Sequence, residues 1–286
     1  MHMIIKTANL FVCLFLINFL HTPTSKISKV VNPAEKIHSG TWVVTGVRIN
    51  TTLGKASSVT WNDPNLMYRV FRFSKEKISN NTFYANDNCT QPQYKQIDTK
   101  FNHLLFSTMM GYGDIDPSQD PSSDFEMSSW ANKDVQINAV TCSNDTWNGI
   151  LSSSSAGGKL SEIRGSWLAF YSKNKMSLRW HGNSILILKR FDDTNKLQPS
   201  FNCSRAERKD EIKICSSIEL SGLDKSIHLA YKMIKKQNMI SGVSNVPLTK
   251  GQKKWLTTRK SCDDDVSCLT KTMTRRIKKL SSMIEI

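Results

Sequence analysis

The sequence lacks the short motifs that mark many hydrolases and nucleotide-binding enzymes. It contains no H-E-x-x-H zinc motif, no G-x-S-x-G nucleophile motif and no glycine-rich phosphate loop. Histidine is scarce, and the four histidines beyond the N-terminal segment do not stand beside an obvious nucleophile; they are His38, His103, His181 and His228. We therefore predict that the protein is not an enzyme and that it has no catalytic residue, no cofactor and no metal site.

Long apolar runs are also absent, with one exception near the start of the chain. Residues 8–20 are almost wholly apolar, follow the single cation Lys6 and precede small polar residues that end at Ser25. This order is typical of a secretory signal peptide, and the run is short for a membrane span, which takes about 20 residues. We predict a signal peptide over residues 1–25 and a linker over 26–37, with an uncleaved N-terminal anchor as the alternative. The mature protein is then periplasmic or secreted within the cell envelope and not transmembrane.

Cysteine is sparse but even in number once the leader is removed. Cys13 lies in the leader, and six cysteines remain: Cys89, Cys142, Cys203, Cys215, Cys262 and Cys268. An exported chain with an even cysteine count favours disulfides. Six cysteines allow fifteen pairings, and the most local choice is Cys89–Cys142, Cys203–Cys215 and Cys262–Cys268. A zinc site is the alternative, but no C-x-x-C or neighbouring histidine pair supports it.

Acidic residues are few, with 24 aspartates and glutamates against 39 lysines and arginines, which gives a net charge of +15. One acidic series offers the oxygen ligands that calcium prefers; its members are Asp114, Asp116, Asp120 and Asp124. The series lacks the spacing and the terminal glutamate of an EF-hand loop. We therefore interpret it as a solvated acidic loop.

The positive charge is concentrated toward the end of the chain. Residues 197–286 hold 18 lysines and arginines against 9 acidic residues. Such an excess favours anionic partners, and for an exported protein these are envelope polymers or lipid head groups, with no nucleic acid expected. The alternative interpretation is a set of solvated helix faces in a lysine-rich protein.

Residues 38–192 alternate in polarity with a period of two and carry turn-rich clusters between the alternating segments. Three late strands are expected at 167–171, 176–180 and 184–190, and the first two are joined by a hairpin turn at 173–175. In the first strand the alternation places Trp42 and Val44 on one face and Val47 on the other. This pattern predicts an antiparallel all-β barrel or sandwich of seven to nine strands.

Three residues favour the barrel over the sandwich. Gly40 and Trp42 open the first strand, and Arg190 ends the last one. This arrangement resembles the lipocalin and wider calycin barrels, in which such a tryptophan closes one barrel end beneath an arginine. The resemblance implies a calycin-like, eight-stranded barrel, and the sandwich remains the alternative.

Residues 197–286 carry apolar stripes at helical spacing. The stripes predict helices over 217–237, 248–259 and 264–283, separated by a break at residues 242–247. Thr249 or an aspartate of 263–265 is expected to cap a helix start. The first two helices should form an antiparallel hairpin within a small, disulfide-stapled helical domain. The whole chain is thus expected to be a two-domain α+β protein.

The helical segment, residues 197–286, carries two short motifs and a set of separate cysteine, aromatic, polar and apolar positions. The motifs are P-S-F-N-C at 199–203 and E-L-S-G-L-D at 219–224, and the separate positions are Cys215, Tyr231, Gln252, Trp255, Leu256, Arg259, Cys262, Cys268, Arg276 and Leu280. Together they resemble the LprI-type lysozyme-inhibitor domain of exported bacterial proteins. Asn202 and residues 216–218 depart from the family pattern without touching the cysteines. We expect Arg259 and Asp224 to form an ion pair.

Two functions follow as expectations. The resemblance implies a non-catalytic envelope protein that binds and inhibits lysozyme-type peptidoglycan hydrolases, although the +15 charge opposes binding to a basic lysozyme unless a face such as residues 114–124 is locally acidic. The alternative is a binding protein in which the barrel holds a ligand and the basic helical tail adheres to an anionic envelope polymer. The contacting residues are unknown from the sequence.

Overall fold

The computed structural model describes residues 39–53, 58–83, 87–109, 112, 118–131, 135–143, 145–148, 163, 165–192 and 197–284. The expected signal peptide and linker, with Cys13 and His38, lie outside the described residues. So do Asp114 and Asp116 of the acidic series.

The first region is a single antiparallel sheet that curls into a nearly closed barrel. Its strands are β1 (Gly40–Ile49), β2 (Val70–Phe73), β3 (Lys77–Asn80), β4 (Cys89–Thr90), β5 (Pro92–Ile97), β6 (Gln136–Cys142), β7 (Asp145–Thr146), β8 (Trp167–Ser172), β9 (Lys175–Trp180) and β10 (Ser184–Phe191). The order across the sheet is β4-β3-β2-β1-β10-β9-β8-β6-β5, with β7 beside β6. At the nearly closed seam, the Ser143 amide donates to the Thr90 carbonyl over 2.9 Å. The barrel prediction is confirmed, with nine strands along the path where the resemblance implied eight.

Alternate residues of each strand face two separate apolar cores. Leu168 and Phe170 point into the barrel interior, whereas Trp167 and Ala169 point to the outer face. The interior is filled by buried aromatic and aliphatic side chains, among them Trp42, Phe71, Phe73, Trp147, Trp180, Leu186 and Leu188. The outer core is covered by helix α1 (Phe101–Thr108), by the short helix α2 (Pro121–Asp124) and by a 3-10 turn at Ser128–Trp130.

The face assignment predicted for the first strand is wrong beyond Val44. The pairing of β1 with β10 shifts register between Val44 and Gly46, which marks a β-bulge. The extra residue returns the next side chain to the same side, so Val47 joins Trp42 and Val44 in the interior core. A Cβ at Gly46 would lie 3.2 Å from the Arg48 Nη1 atom, so the bulge leaves little room there.

Arg190 closes one end of the barrel over Trp42. Its guanidinium carbon lies 4.6 Å from the centre of the Trp42 ring. Its Nη1 donates to the Ser39 carbonyl over 2.6 Å, and its Nε donates to the Lys173 carbonyl over 2.9 Å. The expected juxtaposition of tryptophan and arginine is therefore present.

The second region is helical and has its own core. After a 3-10 turn at Cys203–Arg205 it contains α3 (Lys209–Ser216), α4 (Ile218–Ile240), α5 (Val246–Lys260) and α6 (Val266–Ser281). The predicted helices correspond to α4, α5 and α6, whereas α3 was not predicted. The core is formed by one stripe from each helix and includes Ile214, Leu223, Ile227, Leu248, Leu269, Met273, Ile277 and Leu280.

Two local details of the helices differ from the expectations. Asp265 caps α6 by accepting from the amides of Ser267 and Cys268, as predicted, but Thr249 lies inside α5 and does not cap it. Pro247 stands in the first turn of α5, where its missing N–H costs no helical hydrogen bond. The longest helix, α4, packs chiefly against α6 rather than α5.

The three disulfides join the pairs favoured from the sequence: Cys89–Cys142, Cys203–Cys215 and Cys262–Cys268. The first links β4 to the end of β6, beside the seam of the barrel. The second ties the 3-10 turn to the end of α3. The third clamps the turn between α5 and α6.

The barrel and the helices belong to one compact unit. Tyr68 has a left-handed backbone, with a φ of 62°. A Cβ on Gly222 of α4 would lie 2.3 Å from the Tyr68 carbonyl oxygen, so only glycine allows this approach. Nearby, Ser226 donates to the Met67 carbonyl over 2.7 Å, and Arg72 pairs with Glu219. Among the residues described, no helix is long and apolar enough to cross a bilayer.

Candidate anion-binding groove

A groove of about 340 Å³ runs between α5 and α6, and half of its lining residues are cationic. Its lining consists of Gly251, Lys254, Trp255, Thr258, Thr272, Arg275, Arg276 and Lys279. We call this set the basic groove. Neither helix contributes an aspartate or glutamate to it.

Helical periodicity explains why the cations gather there. Thr272, Arg276 and Lys279 are spaced by four and three residues, so they share one face of α6. The neighbouring face of α6 carries the apolar stripe that fills the helical core. The polar face left outside the core therefore meets Lys254 and Thr258, which are four residues apart on α5.

Arg276 forms the buried wall of the basic groove. Its side chain is 7% exposed, and its Nε and Nη2 atoms donate to the Gln252 Oε1 atom over 3.1 Å and 2.7 Å. Burial lowers the pKa of Arg276, partly opposed by Tyr231. Within the described part of the chain, no ion pair joins Lys254, Arg275, Arg276 or Lys279 to a carboxylate. The described carboxylates therefore do not neutralise the positive charge of the groove.

Trp255 separates the basic groove from a second pocket of about 280 Å³. The indole is 9% exposed, and its Nε1 donor has no hydrogen-bond partner among the described atoms. The guanidinium carbons of Arg259 and Arg276 lie 5.5 Å and 5.9 Å from its ring centre, which is within the range of a cation–π contact. The ring thus braces the arginines of both pockets.

The second pocket is built on a buried charge network. Arg259 Nε donates to Asp210 over 2.9 Å, and its Nη1 donates to Asp224 over 3.2 Å, so the predicted Arg259–Asp224 ion pair is confirmed. Burial raises the pKa of Asp210, but hydrogen bonds and charges from Arg208 and Arg259 outweigh it and hold that pKa below its usual value. The Asp224 carboxylate also accepts from the Ser200 amide over 2.6 Å. The network fixes the P-S-F segment against α4.

The acidic series has a structural role where it is described. Asp120 caps α2 by accepting from the Ser122 amide, and Asp124 accepts from the Tyr112 hydroxyl over 2.7 Å. Burial raises the pKa of Asp120, but hydrogen bonds from Ser122 and Asn102 hold it below its usual value. The described residues contain no group of three or more His, Cys, Asp or Glu placed to hold a metal ion.

The described histidines do not gather at one site. His103 Nδ1 lies 3.0 Å from the Thr99 hydroxyl, and His181 Nε2 lies 2.9 Å from an Asp87 carboxylate oxygen. His228 is largely exposed on α4, and partial burial of its ring together with the charge of Lys232 lowers its pKa.

Comparison with family models, curated proteins and solved structures found no match for this chain. The resemblance to LprI-type domains therefore rests on its own residues. Eight of them line the second pocket: Ser200, Phe201, Asp224, Tyr231, Gln252, Trp255, Leu256 and Arg259. The basic groove itself was not predicted. The helical spacing of Arg276 and Lys279 in α6 is the sequence feature that could have indicated a cationic helix face.

Proposed function

We propose that this protein is an exported, non-catalytic binding protein whose helical region holds an anionic cell-envelope polymer in the basic groove. The observation that carries the proposal is the convergence of four cations on one groove without a paired carboxylate among the described residues. The expected signal peptide and the three disulfides support a location in an oxidising compartment outside the cytoplasm. The barrel interior is filled by side chains, which favours the helical region over the barrel as the binding element.

A repeating polyanion suits this groove better than a single small ion. An exposed ion pair contributes only about 0.2–1 kcal/mol, so several simultaneous pairs are needed for useful affinity. Exposed charges are screened over about 8 Å at physiological ionic strength, which makes such binding steeply dependent on salt. Arg276 differs from the exposed lysines because Gln252 and Trp255 hold its guanidinium in place before the ligand arrives.

The test compares two variants with equal loss of charge. The groove variant carries Lys254→Gln, Arg275→Gln and Lys279→Gln, whereas the control carries Lys209→Gln, Lys235→Gln and Lys236→Gln, three exposed positions outside the groove. Binding to immobilised lipopolysaccharide, teichoic acid and neutral dextran is measured from low to high salt. We expect the groove variant to lose most polymer binding and the control to retain it. Equal losses in both variants would reduce the proposal to a general effect of net charge.

Inhibition of a lysozyme-type hydrolase is the second candidate function. It is supported by the position of several residues of the LprI-like pattern, which line an open pocket and are not all packed in the hydrophobic core. Glu211, which is paired with Arg208 but partly exposed, is the acidic group of this pocket that a basic lysozyme would meet. We expect purified protein to slow the clearing of a bacterial cell-wall suspension by lysozyme, and Tyr231→Ala to weaken the effect. An absence of inhibition at stoichiometric excess over several lysozyme types would remove this candidate.

A further inference from the structure

Arg69 is a fully buried arginine without a carboxylate partner among the described residues. It lies just before β2, at the junction of the barrel and the helices, and none of its side chain is exposed. Its Nη2 donates to the Ser226 hydroxyl over 2.5 Å. Its Nε and Nη1 atoms have no acceptor in the described structure. A buried cation with free donors is costly unless something else balances the charge.

Glu219, an acidic residue of this junction, is engaged elsewhere. Glu219 pairs with Arg72, and the Ser217 hydroxyl donates to the Glu219 Oε2 atom over 3.1 Å. Desolvation alone lowers the pKa of Arg69 to about 9, so the side chain still carries its charge at neutral pH. Among the described residues, the positive charge of Arg69 therefore has no paired carboxylate.

A pocket of about 400 Å³ adjoins Arg69 and opens between the barrel and the helices. Its other polar lining groups are neutral hydroxyls and an amide, apart from Glu219; they belong to Asn81, Thr82, Ser217, Thr270 and Thr274. Phe83, Leu220, Leu223 and Val266 supply an apolar wall. Small-molecule pockets commonly combine this volume, a mainly apolar wall and a few polar groups that fix orientation.

We propose that this pocket binds a small ligand with an oxyanion head group, a carboxylate or a phosphate, that supplies the missing counter-charge of Arg69. The neutral hydroxyls of Thr270 and Thr274 would donate to the remaining oxyanion lone pairs, and the apolar wall would cover the body of the ligand. The site is separate from the basic groove and does not depend on the proposed function.

Phe83 controls the approach to the guanidinium. Its ring centre lies 5.2 Å from the Arg69 guanidinium carbon, and it lines the pocket. The free nitrogens of Arg69 are shielded from water, so the ligand reaches them when the half-buried Phe83 side chain moves aside. Phe83→Ala should accordingly raise the association rate constant of the ligand. An association rate constant equal to that of the wild type would contradict this role of Phe83.

The experiment titrates the full-length protein with inorganic phosphate and, separately, with acetate and succinate at constant ionic strength. Calorimetry should detect one site per chain for at least one probe, and the preferred probe identifies the head group. Arg69→Met should abolish this binding, and Arg69→Lys should weaken it at least tenfold because lysine lacks the planar donor set. Lys75→Met, an exposed change in the turn after β2, serves as the matched control and should bind as the wild type does.

Two further variants keep the proposal testable if Arg69→Met does not fold. Thr270→Val and Thr274→Val remove pocket hydroxyls without touching Arg69, and each should weaken binding several-fold. No binding of any probe to the wild type would overturn the proposal. Binding that survives in Arg69→Met, or that disappears only in the groove variant Lys254→Gln, Arg275→Gln, Lys279→Gln, would overturn it as well.

Discussion

The contact between Gly222 and Tyr68 makes a sharp prediction about how the helices dock on the barrel. In Gly222→Ala the new Cβ would lie 2.3 Å from the Tyr68 carbonyl oxygen, whereas a carbon and a carbonyl oxygen ordinarily stay about 3.3 Å apart. Neither partner is a flexible side-chain end, so α4 must retreat by about 1 Å. The retreat would also strain the hydrogen bonds that Ser226 forms with Met67 and Arg69.

The magnitude follows from three terms. Overpacking of a tight contact costs up to about 3 kcal/mol, and two weakened buried hydrogen bonds add about 1 kcal/mol each. The better helix propensity of alanine returns about 1 kcal/mol. We expect Gly222→Ala to lower the free energy of unfolding by up to about 4 kcal/mol, which for a chain of this size is a fall in Tm of up to roughly 8–16 °C.

Gly251 provides the matched control, because it also lies in a helix but a Cβ there meets no atom within 4 Å. Gly251→Ala should therefore gain the propensity term alone and raise the Tm by about 2–4 °C. Both variants are measured by thermal unfolding followed by circular dichroism. A Gly222→Ala variant that melts at or above the wild-type temperature would show that the helix does not sit on Tyr68 as described.

Three other predictions concern buried charge and the disulfides. Asp224→Ala leaves Arg259 with one buried partner fewer and should destabilise the protein by about 3 kcal/mol in urea unfolding; a loss below about 1 kcal/mol would contradict a buried pair. The loop-closure model ranks the double Cys→Ala variants, with the Cys89–Cys142 pair costing about 4 kcal/mol and the Cys262–Cys268 pair about 2 kcal/mol, since the enclosed loops differ in length; the reverse order would refute the ranking. Arg69 has a folded pKa of about 9, below its unfolded value of 12.5, so its burial destabilises the fold fully below pH 9 and progressively less above it. The stability of the wild type relative to Arg69→Met should thus rise between pH 9 and 11, and parallel pH curves would disprove the shift.

The long, strongly periodic elements were predictable from the sequence. The three late strands and the three longer helices each bury a regular stripe, and pattern alone locates such elements. The short strands β3, β4 and β7 and the helix α1 were missed. They carry too few residues to show a period. They are stabilised by contacts with the outer sheet face and with the strands at the barrel seam, which lie far away in the sequence.

The features that position the candidate sites depend on contacts between distant segments. The bulge before Gly46 turns the Val47 side chain to the interior face of the sheet. The sequence of β1 contains no local pattern that predicts this bulge. Arg69 falls in an apparently alternating run, yet residues just before Val70 form turns and place it under α4. The basic groove needs two polar helix faces to meet, and the sequence shows each face without showing their adjacency.

The pairing of β1 with β10 has a consequence for the order in which the chain can fold. Thr41 pairs with Phe191, so a chain that emerges from a ribosome or a translocation pore cannot complete its barrel until the last strand has appeared. Contacts of such wide sequence separation are associated with slow folding, on the scale of milliseconds to seconds. Cys89 and Cys142 emerge well before β10, so their disulfide can form on an incomplete sheet. An early covalent link would hold the seam together while the chain waits for its closing strand.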